Sequence, residues 1–497
     1  MLEICKKLFD KWNKEVRYCH WKGNDHIIDG LIGKGDLDIF VLPDDKSIAE
    51  SSLLELKFIK VRQQKFYTYP LVDEWIGFDY KTGSLVHVHL HYQLITGTDF
   101  CKEYVFPWDN MIIDTRCIDN TGIFVPTREL ELIMFYMRTA LKAKDKKHIV
   151  PRKHKDGFYF LKDRCEKDKI RIFLNKLFPE KANAFYKLIS KPELSYDEWY
   201  EVYLIANSVL KDYKKLGVIG VFIRHNYYKI YHRLVSFLNQ HFGANFILKK
   251  RLPHSGLSIC FIGVDGSGKS TVSKDISKWL SWKLDTHSFY LGSGDGYNSL
   301  LRKSMKFIVC IKNALKRNNI KGHSQDQIMP SRNFNSDSKK VSYSLLNVLF
   351  SCFYSVGVAK HCRKELKKAK KYQGDGGIAI YDRFPQNQFF GIYDGPKVMK
   401  NFGELGYSWV KLFSRKEERI ISECQNFQPT IVFKLAISVD ESVRRKGDSE
   451  EIIKEKVEIT QKLKFPNSEI HIIDAMQDYN EELLNIKRLI WTKINAK

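Results

Sequence analysis

The 497-residue chain has no C-x-x-C pair, and its ten cysteines stand without paired spacing. That excludes a zinc ribbon and a disulfide framework, and makes a reducing, cytoplasmic compartment the expectation. The first sixteen residues lack the uninterrupted apolar core of a signal peptide. They interleave charge with apolar residues at helical spacing, which predicts an ordinary first helix. No apolar run spans a bilayer comfortably. The most membrane-like, Leu345 to Ala359, is interrupted by Asn347, Ser351 and Ser355 and reads as a buried or amphipathic helix. Acidic residues are in deficit, 58 against 82 Lys and Arg, for a net charge of +24. Such a charge suits nucleic acid, an anionic membrane surface or phosphorylated substrates. It is spread rather than gathered in one stripe, as a Lys-, Asn- and Ile-rich composition alone would also produce. The length exceeds a single core and predicts two or three domains.

The most informative stretch is 257-LSICFIGVDGSGKSTVSKDISKWL-280, where an apolar run, a glycine-rich turn and an amphipathic helix follow one another. Gly263, Gly268, Lys269 and Ser270 fit G-x-x-x-x-G-K-[ST], a P-loop. Backbone N–H groups from Gly263 through Gly266, Ser267, Gly268 and Thr271 can converge on the phosphates of ATP. Lys269 reaches the terminal phosphates, and Ser270 ligates Mg²⁺. A Cβ at the glycines would block that approach.

Nearer the N-terminus, a Gly-rich turn leads into Asp36-Leu37-Asp38 and the apolar Ile39-Phe40-Val41. Two-residue spacing on a strand points both carboxylates the same way, as holding a divalent ion against a triphosphate requires. The partner strand is expected at 85-LVHVHLHYQL-94, where His87, His89 and His91 alternate with apolar residues and share a face. With Lys22-Gly23-Asn24 upstream, the segment resembles the start of a polymerase-β-type nucleotidyltransferase. That family carries a third carboxylate on such a strand, and this chain offers histidine. Asp36, Asp38, His87 and His89 are thus candidate ligands with a preference for Mn²⁺ or Zn²⁺ over Mg²⁺, or else a polar strand face without metal.

From Pro126 the pattern turns helical, with Leu130, Ile133, Met134 and Met137 on one face, and continues through 166–178 and 219–242. The basic stretch Lys142 to Lys155 reads as a solvated loop or a phosphate contact. Pro and Gly in 249-KKRLPHSG-256 mark a boundary. Beyond it, strands expected at 286–291, 378–381, 430–437 and 469–474 alternate with helices and predict a parallel sheet with helices on both faces. Asp382-Arg383-Phe384-Pro385 follows one of these strands, where an acid can hold a metal shell and an arginine can grip a phosphate with two hydrogen bonds.

Four motifs occur in order: G-x-D-G-S-G-K-S-T at Gly263 to Thr271, D-R-F-P at Asp382 to Pro385, R-R-K-G-D at Arg444 to Asp448, and I-I-D-A at Ile472 to Ala475. Together, over about half the chain, they resemble the thymidylate kinase family. The resemblance implies Asp265 toward the acceptor sugar, Asp382 and Arg383 toward acceptor phosphate and metal, and Arg444 or Arg445 toward the transferring phosphoryl group. The chain departs from the family at 290-YLGSGDGYN-298, which lacks an arginine for the monophosphate, and near Val358, where a base-reading arginine is expected. A basic insertion between Asn298 and Lys340, with Lys303, Lys306, Lys312, Lys316 and Arg317, either rebuilds the acceptor site or is a surface excursion.

The reading is an α/β chain in three parts: a nucleotidyltransferase-like α+β domain at 1–125, a helical subdomain and linker at 126–250, and a thymidylate kinase-like domain at 257–497. Its expected activity is ATP- and Mg²⁺-dependent phosphoryl transfer to a phosphorylated small molecule. The alternatives are a kinase for a sugar, polyol or nucleic-acid end with coupled nucleotidyl transfer, and a nucleotide-controlled interaction or defence protein. Acceptor identity and oligomeric state stay open.

Overall fold

The computed structural model describes residues 1–63, 67–142, 159, 161–242, 246, 249–291, 345–446 and 449–496. The insertion between Asn298 and Lys340, including Lys303, Lys306, Lys312, Lys316 and Arg317, and most of the stretch from Lys142 to Lys155 lie outside the described residues.

The first helix, Glu3–Glu15, buries Ile4, Cys5, Leu8, Phe9 and Trp12, the apolar stripe its spacing predicts. It covers a mixed five-stranded sheet of β1 (Tyr18–His20), β2 (Asp36–Val41), β3 (Ile59–Lys60), β4 (Val72–Phe78) and β5 (Leu85–His91), in the order β1-β2-β5-β4-β3. β2 and β5 run parallel, with Asp36 beside His87 and Asp38 beside His89. β4 runs antiparallel to β5 and sets Glu74 opposite His89. The expected strand 85–94 breaks after His91 and resumes as β6 (Leu94–Thr96), which pairs with β7 (Tyr104–Phe106). A second ribbon joins β8 (Cys117–Ile118) to β9 (Phe124–Val125).

Helices Arg128–Lys142, Lys167–Leu177, Ala182–Ile189 and Tyr196–Val209 then pack around one apolar core that reaches back to Trp21 and Phe40. The last of them starts at a reciprocal cap between Ser195 and Glu198. A 25-residue helix, Val218–Phe242, follows.

The second sheet comprises β10 (Ser258–Gly263), β11 (Thr286–Phe289), β12 (Ile378–Tyr381), β13 (Ile431–Ala436) and β14 (Glu469–Asp474), all parallel, in the order β11-β12-β10-β13-β14. β10 is central and buried throughout, as its unbroken apolar sequence requires of a strand covered on both faces. β11 ends two residues before Leu291, and β13 is one residue shorter at each end than expected. The run from Leu345 continues as one helix to Gly374, longer than its apolar sequence marks out, and is the one described helix long and apolar enough to cross a membrane. Val348, Cys352, Val356 and Ala359 are nonetheless buried, and Phe353 meets Phe413 edge to face on helix Ser408–Cys424.

The two sheets share a core. Ile59, Val61, Ile76, Phe78 and Leu85 of the first pack with Leu252, Ile259, Phe261 and Trp491 of the second half. Phe78 stacks on Trp491 at 5.7 Å and meets Trp279 edge-on at 5.8 Å. The segment around 250 is paired rather than loose: Arg62 and Arg251 exchange backbone hydrogen bonds of 2.8 and 3.0 Å, and Lys250 bridges to Leu284.

Phe78→Ala removes a ring that both halves use and is expected to cost about 3–5 kcal/mol. Calorimetry should show both halves melting together at lower temperature, and a lone shift in one of two separate transitions would refute the shared core. A second test uses Glu131, which burial pushes up to about 7 although it accepts the Asn24 N–H at 3.4 Å. Such an acid binds more protons folded than unfolded between its ordinary 4.5 and about 7, so stability falls as pH rises through that window. Glu131→Gln should therefore stabilise the protein at pH 8 by on the order of 2 kcal/mol and change little at pH 4, as read by denaturant titration.

Candidate functional site

β10 ends at Gly263, where an added Cβ would stand 2.9 Å from the Leu435 carbonyl, closer than real side chains come. The chain then turns through Val264 to Gly268, with Gly266 and Gly268 at φ of +84° and +86°, conformations open to glycine at no steric cost. Gly268 caps helix Lys269–Leu280, whose first turn carries the N–H groups of Lys269 and Ser270, while the Thr271 N–H donates to the Gly268 carbonyl at 3.0 Å. Lys269 opens the helix partly buried. Its Nζ donates to the Val264 carbonyl at 2.8 Å, because a buried ammonium takes the nearest acceptor. Burial lowers its pKa to about 8.

Asp382 stands immediately after β12, beside β10, and its Oδ2 accepts from Ser270 Oγ at 3.1 Å. Its Oδ1 is buried with no hydrogen-bond partner among the described residues. A hydroxyl and a half-satisfied carboxylate side by side fit the inner and outer shell of Mg²⁺.

Three cations surround the loop. Arg445, on helix Val439–Lys446, donates to the Gly266 carbonyl at 3.1 Å. Arg444 and Arg445 both pair with Glu441, and Arg444 points away into solvent. Lys456, on helix Glu450–Lys462, pairs with Asp265 at 2.5 Å. Burial raises the Asp265 carboxyl, but that ammonium outweighs it and the net shift is downward. Arg383 lies 4.0 Å from Asp394. Tyr393 and Asp394 are consecutive non-glycine residues at φ of +49° and +56°, a strained pair. The Tyr393 hydroxyl donates to the Lys456 carbonyl at 3.0 Å and so ties this loop to the helix carrying Lys456.

The first sheet holds a second constellation. Asp36, His87 and His89 offer ligand atoms all within 4.8 Å of one another, and so do Asp38, His89 and His91. His87 Nδ1 is 2.7 Å from Asp36, and His89 and His91 lie 3.2 and 3.1 Å from Asp38. Burial first, then neighbouring cations, lower His87 and His91 to about 3, so both rings are neutral and able to ligate at neutral pH. His89 Nε2 and His91 Nδ1 are buried without hydrogen-bond partners among the described residues, which fits a soft-leaning divalent ion.

The third carboxylate sought on β5 comes from the next strand. Glu74 on β4 is buried, 3.2 Å from His87 Nε2 and 3.5 Å from His89 Nε2. Its signal was an acid in the inward phase of Val72-Asp73-Glu74-Trp75-Ile76, legible only once β4 is known to adjoin β5. Three lysines also enter: Lys22 pairs with Asp38 at 2.9 Å, Lys250 with Glu74 at 2.9 Å, and Lys283 with Asp36. No motif marks Lys250, Lys283 or Lys456, since their roles depend on how distant segments pack.

Full-length protein titrated with Mn²⁺ or Zn²⁺ by calorimetry should bind at this cluster. Asp38→Asn and Glu74→Gln should each weaken the affinity roughly tenfold or more, since an amide cannot replace a carboxylate's charge at a divalent ion. Equal affinity in both variants would remove these residues from any metal site.

A parallel α/β sheet with a phosphate-loop turn at its central strand, coupled to a mixed sheet rich in carboxylate and histidine, is the class this fold and site define. No family model matches the chain. It is 24% identical over 237 residues to the uncharacterized ATP-binding protein YghR of Escherichia coli K12, a match covering 47% of this chain and 86% of the relative. It is 26% identical over 227 residues to YghS of the same organism, also an uncharacterized ATP-binding protein, covering 45% and 88%. A deoxyadenosine kinase structure from M. mycoides with bound dATP is 20% identical, with a TM-score of 0.26, covering 48% of this chain and all of that one.

Proposed function

We propose that the chain is an ATP-dependent phosphotransferase that passes the terminal phosphoryl group of ATP to a phosphorylated, nucleoside monophosphate-like acceptor, as thymidylate kinases do. The observation that carries this reading is the 3.1 Å contact between Ser270 and Asp382 at the mouth of the glycine loop, with one carboxylate oxygen left unsatisfied. The ATP-binding relatives support it.

In this reading the N–H groups from Gly263 to Thr271 cradle the phosphates, and Lys269 exchanges the Val264 carbonyl for a terminal phosphate oxygen. Ser270 and Asp382 would hold Mg²⁺, which would supply positive charge beside the transferring group. Arg445, already over the loop, moves from the Gly266 carbonyl to the phosphoryl oxygens, with Arg444 beside it on helix Val439–Lys446, which serves as a lid in this reading. Arg383 grips the acceptor phosphate. Asp265, paired with Lys456, faces the acceptor sugar. Closure of the lid excludes water, so transfer outcompetes hydrolysis.

Residues 1–125 act in the same proposal as a divergent nucleotidyltransferase-like domain in which Asp36, Asp38, Glu74 and the histidines would hold Mn²⁺ or Zn²⁺. A second reading, nucleotide-controlled domain coupling, is favoured by one contact: Lys283, three residues beyond the P-loop helix, is the partner of Asp36.

Turnover measured as ADP release against a panel of nucleoside monophosphates tests the kinase reading. Lys269→Ala should lower it by roughly a hundredfold or more with the fold intact, because the residue contributes charge at the transition state. Unchanged turnover in that variant would remove the assignment. Arg383→Lys should raise KM for a phosphorylated acceptor by roughly tenfold, since a point charge cannot reproduce a two-bond grip. Silence of this variant would mean an acceptor without phosphate. ATP binding with no acceptor stimulating ADP release would favour the coupling reading.

A further inference from the structure

Helix Val218–Phe242 is held to the protein along one face only. Val221 and Val235 are buried, Arg224 Nε donates to the Phe100 carbonyl at 3.0 Å, and His225 Nδ1 lies 3.2 Å from the Asp99 carbonyl. The opposite face is apolar and open to solvent. Ile219 is 77% exposed, Phe222 69%, Ile223 62%, Tyr227 62%, Ile230 65% and Leu234 53%. The spacing of 219, 223, 227, 230 and 234 is one helical stripe, about 22 Å long at 1.5 Å per residue. Scattered exposed apolar residues are ordinary on a soluble surface, whereas a continuous stripe of large side chains marks a surface that something covers.

The charges beside the stripe indicate what covers it. The 25 residues of the helix contain no Asp or Glu, and Lys229 and Arg233, one turn apart, are exposed next to the stripe. A second copy of this helix would bring like charges together with no acid on either helix to answer them. Nucleic acid would satisfy the cations but leave isoleucine, leucine and phenylalanine against phosphate. A layer with acyl chains beneath anionic headgroups satisfies both at once. Interrupted by charge, the helix is suited to lie in an interface rather than cross it. Tyr227 has the amphipathic ring that settles at headgroup depth.

We propose that the exposed face of helix Val218–Phe242 docks the protein onto an anionic lipid bilayer surface, with Ile219, Phe222, Ile223, Tyr227, Ile230 and Leu234 entering the acyl boundary and Lys229 and Arg233 meeting the headgroups. This interaction goes beyond phosphoryl transfer and stands whether or not the kinase reading holds.

The test is co-sedimentation of the full chain with phosphatidylcholine vesicles and with vesicles containing about one third phosphatidylglycerol. The protein should pellet with the anionic vesicles, weakly or not at all with the neutral ones, and binding should fall with added salt. The triple variant Phe222→Ser, Ile223→Ser, Ile230→Ser should lose binding roughly tenfold or more while keeping the wild-type thermal transition. The double variant Lys229→Glu, Arg233→Glu alters no apolar contact and should bind anionic vesicles several-fold more weakly, which keeps the test decisive if the triple variant misfolds. Failure of the wild type to pellet with either vesicle overturns the proposal. So does unaltered binding in the double variant. A dimer in analytical ultracentrifugation that the triple variant dissolves, without vesicle binding, would assign the face to a second copy instead.

Discussion

Glu74 is buried, Asp38 partly so, and Asp36 stands at the exposed edge of the same sheet face, and carboxylates drawn from water are costly unless cations and hydrogen bonds replace the lost hydration. The imidazoles of His87, His89 and His91 supply part of that replacement, and three ammonium groups supply the rest. Only Lys22 belongs to the same sheet region. Lys250 precedes the second sheet and Lys283 follows the helix of the phosphate loop, so the first sheet's charge is balanced by the second half of the molecule. Together with the Phe78 and Trp491 stack, this makes the two sheets one packed body. Burial raises the Asp36 carboxyl, but the His87 hydrogen bond and then His89 and Lys283 more than reverse it. The net direction is downward, so the pairing favours the ionised, folded arrangement at neutral pH.

The same logic governs the phosphate loop. Lys269 is satisfied by Val264, Arg445 by Gly266 and Glu441, and Lys456 by Asp265. Each cation thus has an internal oxygen that a phosphate can replace without an ammonium or guanidinium being stranded in the interval. The strained Tyr393-Asp394 turn lies between Arg383 and the helix of Lys456, and links two groups that the proposed acceptor would meet. Strain of this kind persists only where surrounding packing over-determines the backbone. Here the Tyr393 hydroxyl, bonded to Lys456 and Thr460, supplies that restraint.

Local features were legible in the amino-acid sequence because the physics that sets them is local. The apolar run of β10, the glycines of the loop, and the period-two alternation of Leu85 to His91 each specify a conformation from neighbours alone. The helical spacing at Arg128–Lys142 and Val218–Phe242 did the same, and element ends missed by one or two residues are where fraying and partner strands decide. The placing of Asp36 and Asp38 on one face, and of Asp382 after an apolar strand, followed from the same rules.

Tertiary structure alone decided which strand lies beside which. Sequence spacing makes Glu74 an acid in a strand, and only the antiparallel register of β4 on β5 sets it opposite His89 as the third carboxylate of the cluster. Lys283 is one of many lysines until the packing of the phosphate-loop helix carries it to Asp36, 247 residues earlier in the chain. Lys269 carries a motif that names its chemistry, but its burial and its bond to Val264 depend on the fold around it. The sequence determined the local geometry of each half and the residue types of each site. Long-range packing of charge and apolar surface, which no local pattern encodes, determined their partners.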